Sequence, residues 1–493
     1  MVLASVAWGL SLGRPRALSP SEVPIAFWSW RSSAPSAIDL NDASSQTRAT
    51  SLFLHAGQFD LINERISRIR PVSGPLPSAT TLFLVYNATR DLLGRFERLS
   101  SADLAAQVAR TIEDDLQRAD GDGAYVSGVQ VDWDIPTRLL PKFGEFLAQL
   151  RKRLSPGCKL SITGLPTWMS SPNLLECLSH CDFWVPQFYG DVIPDRIDES
   201  RPISSPDKVR RSATTARRLG HPFLAGLAAY EYALHYSANG TLVGVRGDLD
   251  PVLLAGSDDL ELLDESGLGQ ADGAAPAEWR FVYRSRHDLI LDGTPLRRGE
   301  FVVVQRPTAS GLRASARAVR ECGGGQLLGI CLFRLPSRGD TTTLSLGEVA
   351  CALSDSDQQF SIEAGGQEIS PCSNGRSHVA LTLKNTGSAS SLAGSAGFTG
   401  MFRFPSAGLR TITVSDGASV EPVYNDGSGA VPCTETRANA IRVYARLFQP
   451  GAVIRVNLEL LGPTPSQCSL SFEAHLDDAT VARGTRTFSI QQR

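Results

Sequence analysis

The chain has 493 residues, of which 42% are hydrophobic and 20% charged, more apolar material than one typical domain needs and enough for two cores. A formal net charge of −3 at pH 7 leaves no basic footprint for nucleic acid. No window approaches the roughly 20 unbroken apolar residues of a membrane-spanning helix, so the expected partner is neither nucleic acid nor a lipid bilayer.

The first stretch, Met1 to Leu12, is apolar apart from two serines and is followed by Arg14-Pro15-Arg16. It resembles the apolar part of a secretory signal but lacks basic residues before it and a small-x-small site after it. Residues 1–20 are therefore read as a leader or weak signal-like segment, with export to the periplasm, cell surface or medium as the expectation. Nine cysteines leave the compartment open. Cys158 and Cys331 sit in apolar runs and read as buried thiols. Cys351, Cys372, Cys433 and Cys468 allow one or two disulfides, and export predicts at least one bridge among them. No CxxC pair or His-Cys cluster has metal-ligand spacing, and neither zinc nor any other cofactor is expected.

Short apolar runs then alternate with helical stretches. Strands are predicted at 23–30, 51–57, 81–87, 128–134, 159–165, 183–189, 223–232 and 327–335. Helices are predicted at 101–119, with Leu104, Val108, Ile112 and Leu116 at helical spacing, and at 139–154 and 205–219. Eight strands alternating with helices imply an α/β fold, a (β/α)8 barrel of the TIM type, over residues 21–345. An acidic stretch and a hairpin-like segment at about 239–304 break the rhythm as an insertion after the seventh strand. From 346 to 493 the strand-like runs are short and separated by Gly, Pro, Ser, Asn and Asp, at 359–363, 378–385, 400–404, 409–414, 440–447, 453–460, 468–475 and 485–491. That pattern predicts a C-terminal antiparallel β-sandwich, and phrases such as Leu383-Lys384-Asn385-Thr386-Gly387 resemble immunoglobulin-like accessory domains.

The most chemical stretch is Gly128-Val129-Gln130-Val131-Asp132-Trp133-Asp134-Ile135-Pro136. On a strand, Gln130, Asp132 and Asp134 share one face while Val129, Val131 and Trp133 share the other. In a parallel barrel the acids then point inward at the carboxyl end, where barrel enzymes keep their chemistry. Two carboxylates roughly 7 Å apart in a partly buried site do not both ionise cheaply, so one pKa rises and a proton donor becomes available near neutrality. Asp134, nearer the mouth, is the expected acid and Asp132 its partner. The structural alternative pairs both with an inward arginine such as Arg334, or has them cap loop amides.

This stretch resembles the fourth-strand signature DGxDxDxE of the chitinase-type glycoside hydrolases of family 18. Ser127 and Gln130 replace the first two aspartates, Asp132 matches the third, and Asp134 stands where the family has its acid glutamate, one methylene longer. The resemblance implies that Asp134 protonates a leaving glycosidic oxygen while Asp132 positions and polarises the acetamido group that acts as nucleophile. Gln187-Phe188-Tyr189 resembles the family's motif ending in a tyrosine that contacts the reacting sugar, and Phe333 stands where the family commonly has a floor tryptophan. The barrel as a whole, over most of residues 20–340, is similar to an uncharacterised bacterial family catalogued as domain of unknown function 3142.

Trp28, Trp168 and Phe333 are candidate stacking surfaces for a pyranose, with Trp30 beside Trp28 on the first strand, and Gln130, Gln187 and Tyr189 are polar positioning groups. Glu231 is expected to point away from the face of Tyr230 and Tyr232. His55 and Asn87, at the ends of the second and third strands, are polar at a useful height. The reading that results is a glycoside hydrolase-like barrel acting on a polysaccharide or oligosaccharide outside the cytoplasm. A non-catalytic carbohydrate-binding barrel and a structural or partner-binding envelope protein remain as alternatives.

Overall fold

The computed structural model describes residues 23–492 apart from 79, 191, 248, 270–274, 395–396, 405–407, 416 and 426–428, so the leader read at 1–20 lies outside the described residues. Eight parallel strands form a closed barrel: β1 Ile25–Ser29, β2 Ala49–Ile62, β3 Thr81–Ala88, β4 Val126–Asp132, β5 Lys159–Gly164, β6 Phe183–Pro186, β7 Phe223–Ala228 and β8 Leu327–Phe333. Each pairs with the next, and β1 closes the ring by pairing with both β2 and β8. All eight lie within or overlap the predicted runs. Their residues alternate: Val129 and Val131 of β4 enter the core shared with the helices, while Ala26, Trp28, Phe53, Phe83, Val85, Val185 and Cys331 fill the barrel's interior.

The helices at Ser101–Gly121, Leu140–Arg151 and Pro206–Arg218 form where the apolar spacing predicts them. Ser100 and Ser205 cap the first and last by accepting the amide N–H groups of Asp103 and Lys208, and Leu104, Val108 and Ile112 turn one buried stripe onto the barrel. A further helix, Leu346–Ser354, opens on a capping box of Ser345 and Glu348. Its Val349, Ala352 and Leu353 belong to the barrel core, so a boundary drawn between 345 and 346 divides a barrel helix from the core it packs on.

β7 stops at Ala228, short of the predicted 232. Beyond it the chain bonds to the segment after β8, with Glu231 N–H donating to the Thr342 carbonyl and Leu344 N–H to that of Ala229. Tyr232 already begins the insertion, an antiparallel sheet in the order Leu242–Arg246, Tyr232–Tyr236, Phe301–Pro307, Glu278–Ser285, Leu260–Leu268. The insertion is thus a sheet with its own small core around Phe281, Tyr283, Val302 and Val304.

The C-terminal strands form two sheets. One runs Leu409–Val414, Val453–Leu461, Arg376–Asn385, Ile362–Ser373, and the other Val481–Gln491, Gln467–His475, Phe398–Arg403, Ala440–Ala445, Ala418–Asn425, Ala430–Pro432, joined by a short parallel contact between Gly366 and Ile490. Alternate residues such as Val379, Leu381, Leu383, Val443, Val456 and Leu470 fill the core between them. The disulfide expectation is corrected here: Cys351, Cys433 and Cys468 are free thiols, and the side chain of Cys372 lies outside the described ones.

Barrel, insertion and sandwich meet at one buried seam. Arg306 of the insertion donates to Glu231 at 2.8 Å and to the carbonyls of Thr341 and Thr343. From the sandwich, Asp477 accepts the N–H of Ala309 at 3.0 Å at the start of helix Ala309–Cys322, and its carbonyl accepts the indole N–H of Trp279 at 2.7 Å.

Candidate active site

β4 ends at Asp132, and Asp134 lies just beyond it in the loop. Two apolar neighbours fix that loop. Trp133 turns outward and stacks on Phe146 with ring centroids 4.6 Å apart, and Ile135 is wholly buried. Asp134, between these anchors, is exposed at the mouth of the barrel. Asp132 lies deeper, and one of its oxygens accepts a hydrogen bond from the hydroxyl of Thr163 on β5.

Burial, reinforced by the charge of Asp134, pushes the Asp132 carboxyl up to about 7 against the smaller, opposing effect of the Thr163 hydroxyl. Burial also raises Asp134, though its side chain keeps a side open to solvent. Neither acid forms an ion pair among the described residues. Arg334, the arginine considered for that role, turns instead to Thr342 at 2.6 Å and to Asp340 at 3.6 Å, which also holds Arg31 at 2.6 Å.

Below the acids, Trp28 crosses the barrel from β1, and its indole N–H donates to Oε1 of Gln130 at 2.7 Å. The crossing requires glycine at position 226: a Cβ there would lie 2.8 Å from the Pro186 carbonyl oxygen and 3.2 Å from the Trp28 ring. Gln130 is fully buried, and its Nε2 has no hydrogen-bond partner among the described residues. The amide is therefore oriented by its oxygen, and its donor end is left unspent.

Tyr189 follows β6 and is buried. Burial pushes its hydroxyl well above the ordinary tyrosine value, with further upward contributions from Tyr230, Asp132 and Asp134, which sets it within electrostatic reach of the acids. Gln187, half-buried, is held by its backbone N–H on the Gly164 carbonyl at 2.9 Å. Phe333, at the end of β8, is half-buried and packs edge-on to Tyr230 at 4.8 Å and against Trp30 at 5.8 Å and Tyr189 at 6.5 Å.

Two of the expected stacking surfaces lie elsewhere. Trp28 is 2% exposed, inside the barrel beneath the mouth. Trp168 is 1% exposed, because the 3-10 turn Pro166–Ser170 carries it outward against Phe143, where its N–H bonds the Ile135 carbonyl at 2.8 Å. The partly open aromatic faces belong to Phe333, Trp30 and Tyr230. Thr163 was not singled out by the sequence, although its inward position two residues after Ser161 on β5 carries the period-2 signal.

Among the described residues no group of three or more His, Cys, Asp or Glu side chains is arranged to hold a metal ion, and no helix is long and apolar enough to cross a membrane. Hollows of about 400 and 510 Å³ open outside the strands, one beside Arg31 and Arg338 and one beside Leu40 and Tyr125, and neither is lined by Asp132 or Asp134. The two acids sit at the rim of the barrel and not in these hollows.

No curated protein matches the sequence. Among solved structures, the chain is similar to a chitinase from Chromobacterium violaceum, at 13% identity over 68% of this chain and 99% of that one, with a TM-score of 0.44. It is similar to the spore cortex-lytic enzyme SleL of Bacillus cereus, at 15% identity over 68% and 74% with a TM-score of 0.42. A chitinase-like agglutinin from Robinia pseudoacacia matches at 12% identity over 66% and 99%, with a TM-score of 0.40. Residues 90–264, which include β4 and its two acids, match the family described as Domain of unknown function (DUF3142), in agreement with the resemblance read from the barrel's sequence.

Proposed function

We propose that the barrel cleaves a glycosidic bond of a polysaccharide outside the cytoplasm, with Asp134 as general acid/base and Asp132 as its electrostatic partner. The observation that carries the reading is a pair of acids two positions apart at the carboxyl end of a barrel strand, with no cation against either among the described residues and with Asp132 held at about 7. Such a pair releases its protons in two steps that belong to both groups. Between the steps one proton stays on the pair, and Asp134 at the mouth is the member that can hand it to a leaving oxygen. Asp132 beneath it then carries the charge. Tyr189 and Gln187 orient the sugar, Phe333 gives it an apolar face, and Gln130, locked by Trp28, keeps the layer under Asp132 uncharged. The sandwich is an accessory module on this reading.

A second reading, a barrel that binds carbohydrate without cutting it, is favoured by the short side chain of Asp134. One experiment separates the two. The purified protein is offered chitin oligosaccharides, peptidoglycan fragments and exopolysaccharides, and turnover and binding are measured side by side. Asp134→Asn keeps the shape and removes the proton donor, so turnover should fall by on the order of 10²–10⁴ with folding unchanged. Unaltered turnover in a folded Asp134→Asn variant would falsify the acid assignment, and binding without turnover in the parent protein selects the second reading.

A further inference from the structure

We infer that the rim of β1 to β4 forms a second sugar-binding subsite, built from Trp30, His55 and Asn87, which seats an uncharged, hydroxyl-bearing residue of the polysaccharide beside Asp132. The inference rests on the polysaccharide reading above and extends it to the arc of the barrel opposite Tyr189.

The strand period brings these side chains together. Trp30 lies two residues above Trp28, His55 two above Phe53, Asn87 two above Val85 and Asp132 two above Gln130, so all four stand inward at the top of the layer that fills the barrel. The rings of Trp30 and His55 lie 4.5 Å apart between centroids. Nε2 of His55 lies 3.0 Å from Oδ1 of Asn87, the geometry of an Nε2–H tautomer donating to the carboxamide oxygen. Burial lowers the pKa of His55 against the opposing hydrogen bond to Asn87, and Arg70 adds a smaller lowering.

With its oxygen taken, Asn87 is left to offer its NH2. Across β3 and β4, Asn87 is in register with Asp132. The two residues therefore stand one strand spacing, ~5 Å, apart along the backbone, a carboxamide donor beside a carboxylate acceptor. A hydroxyl both accepts and donates, so a sugar hydroxyl satisfies the two at once, and the half-buried Trp30 offers the pyranose an apolar face. A carboxylate-bearing sugar fits poorly here, because it would meet Asp132 and Asp134, neither of which has an ion-pair partner among the described residues, with Arg70 reaching only the His55 side.

Binding without turnover is measured on the full chain carrying Asp134→Asn, by calorimetry and tryptophan fluorescence, with chitohexaose, cellohexaose and an oligogalacturonate as probes. A neutral hexaose should bind more tightly than the oligogalacturonate. Adding Asn87→Ala should weaken it roughly 5–10-fold and His55→Ala about threefold, the scale of one neutral hydrogen bond. His55→Gln, which can still donate to Asn87, should restore most of the loss, and melting curves identify variants that fail to fold. Unchanged affinity in folded Asn87→Ala and His55→Ala, with Phe333→Ala still weakening binding, overturns this subsite and leaves the polysaccharide reading standing. Preference for the oligogalacturonate overturns the uncharged class, and failure of every saccharide to bind removes both readings.

Discussion

Two acidic places in this chain raise a carboxyl to about 7 by burial and surround it with different partners. At the seam of barrel, insertion and sandwich, Glu231 is 2% exposed and faces Arg306, whose other N–H groups are taken by the carbonyls of Thr341 and Thr343. At the barrel mouth, Asp132 has the Thr163 hydroxyl and a second acid for company. Burial pushes Glu231 up to about 7 as well, with Arg306 opposing it, and the seam uses the pair to hold three parts together. The mouth brings a second acid and no cation among the described residues, and burial there likewise moves Asp132 to where it can exchange a proton near neutral pH. Burial of an acid marks neither a site nor a staple; the presence or absence of a cation opposite it distinguishes them.

The comparison can be broken by substitution, beginning with the seam. Glu231→Gln leaves Arg306 charged and buried without its ion-pair partner, with Glu348 and Asp477 as carboxylates in electrostatic reach, and should cost ~3–5 kcal/mol of unfolding free energy in urea titrations. A cost near zero would mean that the seam pair holds nothing together.

At the mouth the equivalent change should have the opposite sign. Folded Asp132 binds its proton near 7 and the unfolded chain near 3.8, so the native state holds more protons between those values and stability falls as pH rises from about 4 to 7. Asp132→Asn escapes that loss. Its melting temperature should match the parent at pH 4 and exceed it at pH 8, equivalent to ~1–2 kcal/mol after allowing for the solvent that reaches the site. Equal melting at both pH values would show that the carboxyl is not strained by burial. The smallest effect is expected one layer down. Trp28→Phe removes the indole hydrogen bond to the Gln130 amide and should cost about 1 kcal/mol, read from the same titrations.

Much of the barrel was legible because its strands are apolar on both faces and end in polar or turn residues, a signal that survives without knowledge of tertiary contacts. It failed where apolar character continued past a change of partner. The run Leu227-Ala228-Ala229-Tyr230 reads as one strand, yet the chain leaves the barrel after Ala228 to bond with 342–344. Ala418–Asn425 was missed because Glu421 and Pro422 dilute its pattern on a strand near the sheet edge. At the site, the inward face of β4 followed from period 2 alone. The direction of Trp168 did not, since a side chain beyond a strand end is aimed by its turn and by the helix it meets. The indole of Trp28 reaching Gln130 also lay beyond sequence, because it depends on strands far apart in the chain and on a missing Cβ at Gly226.

The loop of the sandwich that carries Asp477 has a consequence for the order in which the protein is made. Helix Ala309–Cys322 has its own cap in Thr308, but the buried N–H of Ala309 finds its acceptor in Asp477, and the Trp279 indole finds its own on the same residue. A chain emerging from the ribosome has its barrel segments out once helix Leu346–Ser354 is made, yet both donors have only water as acceptor until synthesis passes residue 477. Helix Ala309–Cys322 and the insertion therefore gain these two contacts only when nearly the whole polypeptide exists. Amide exchange at Ala309 should report this directly, slow in the complete chain and fast in one released before that loop is translated.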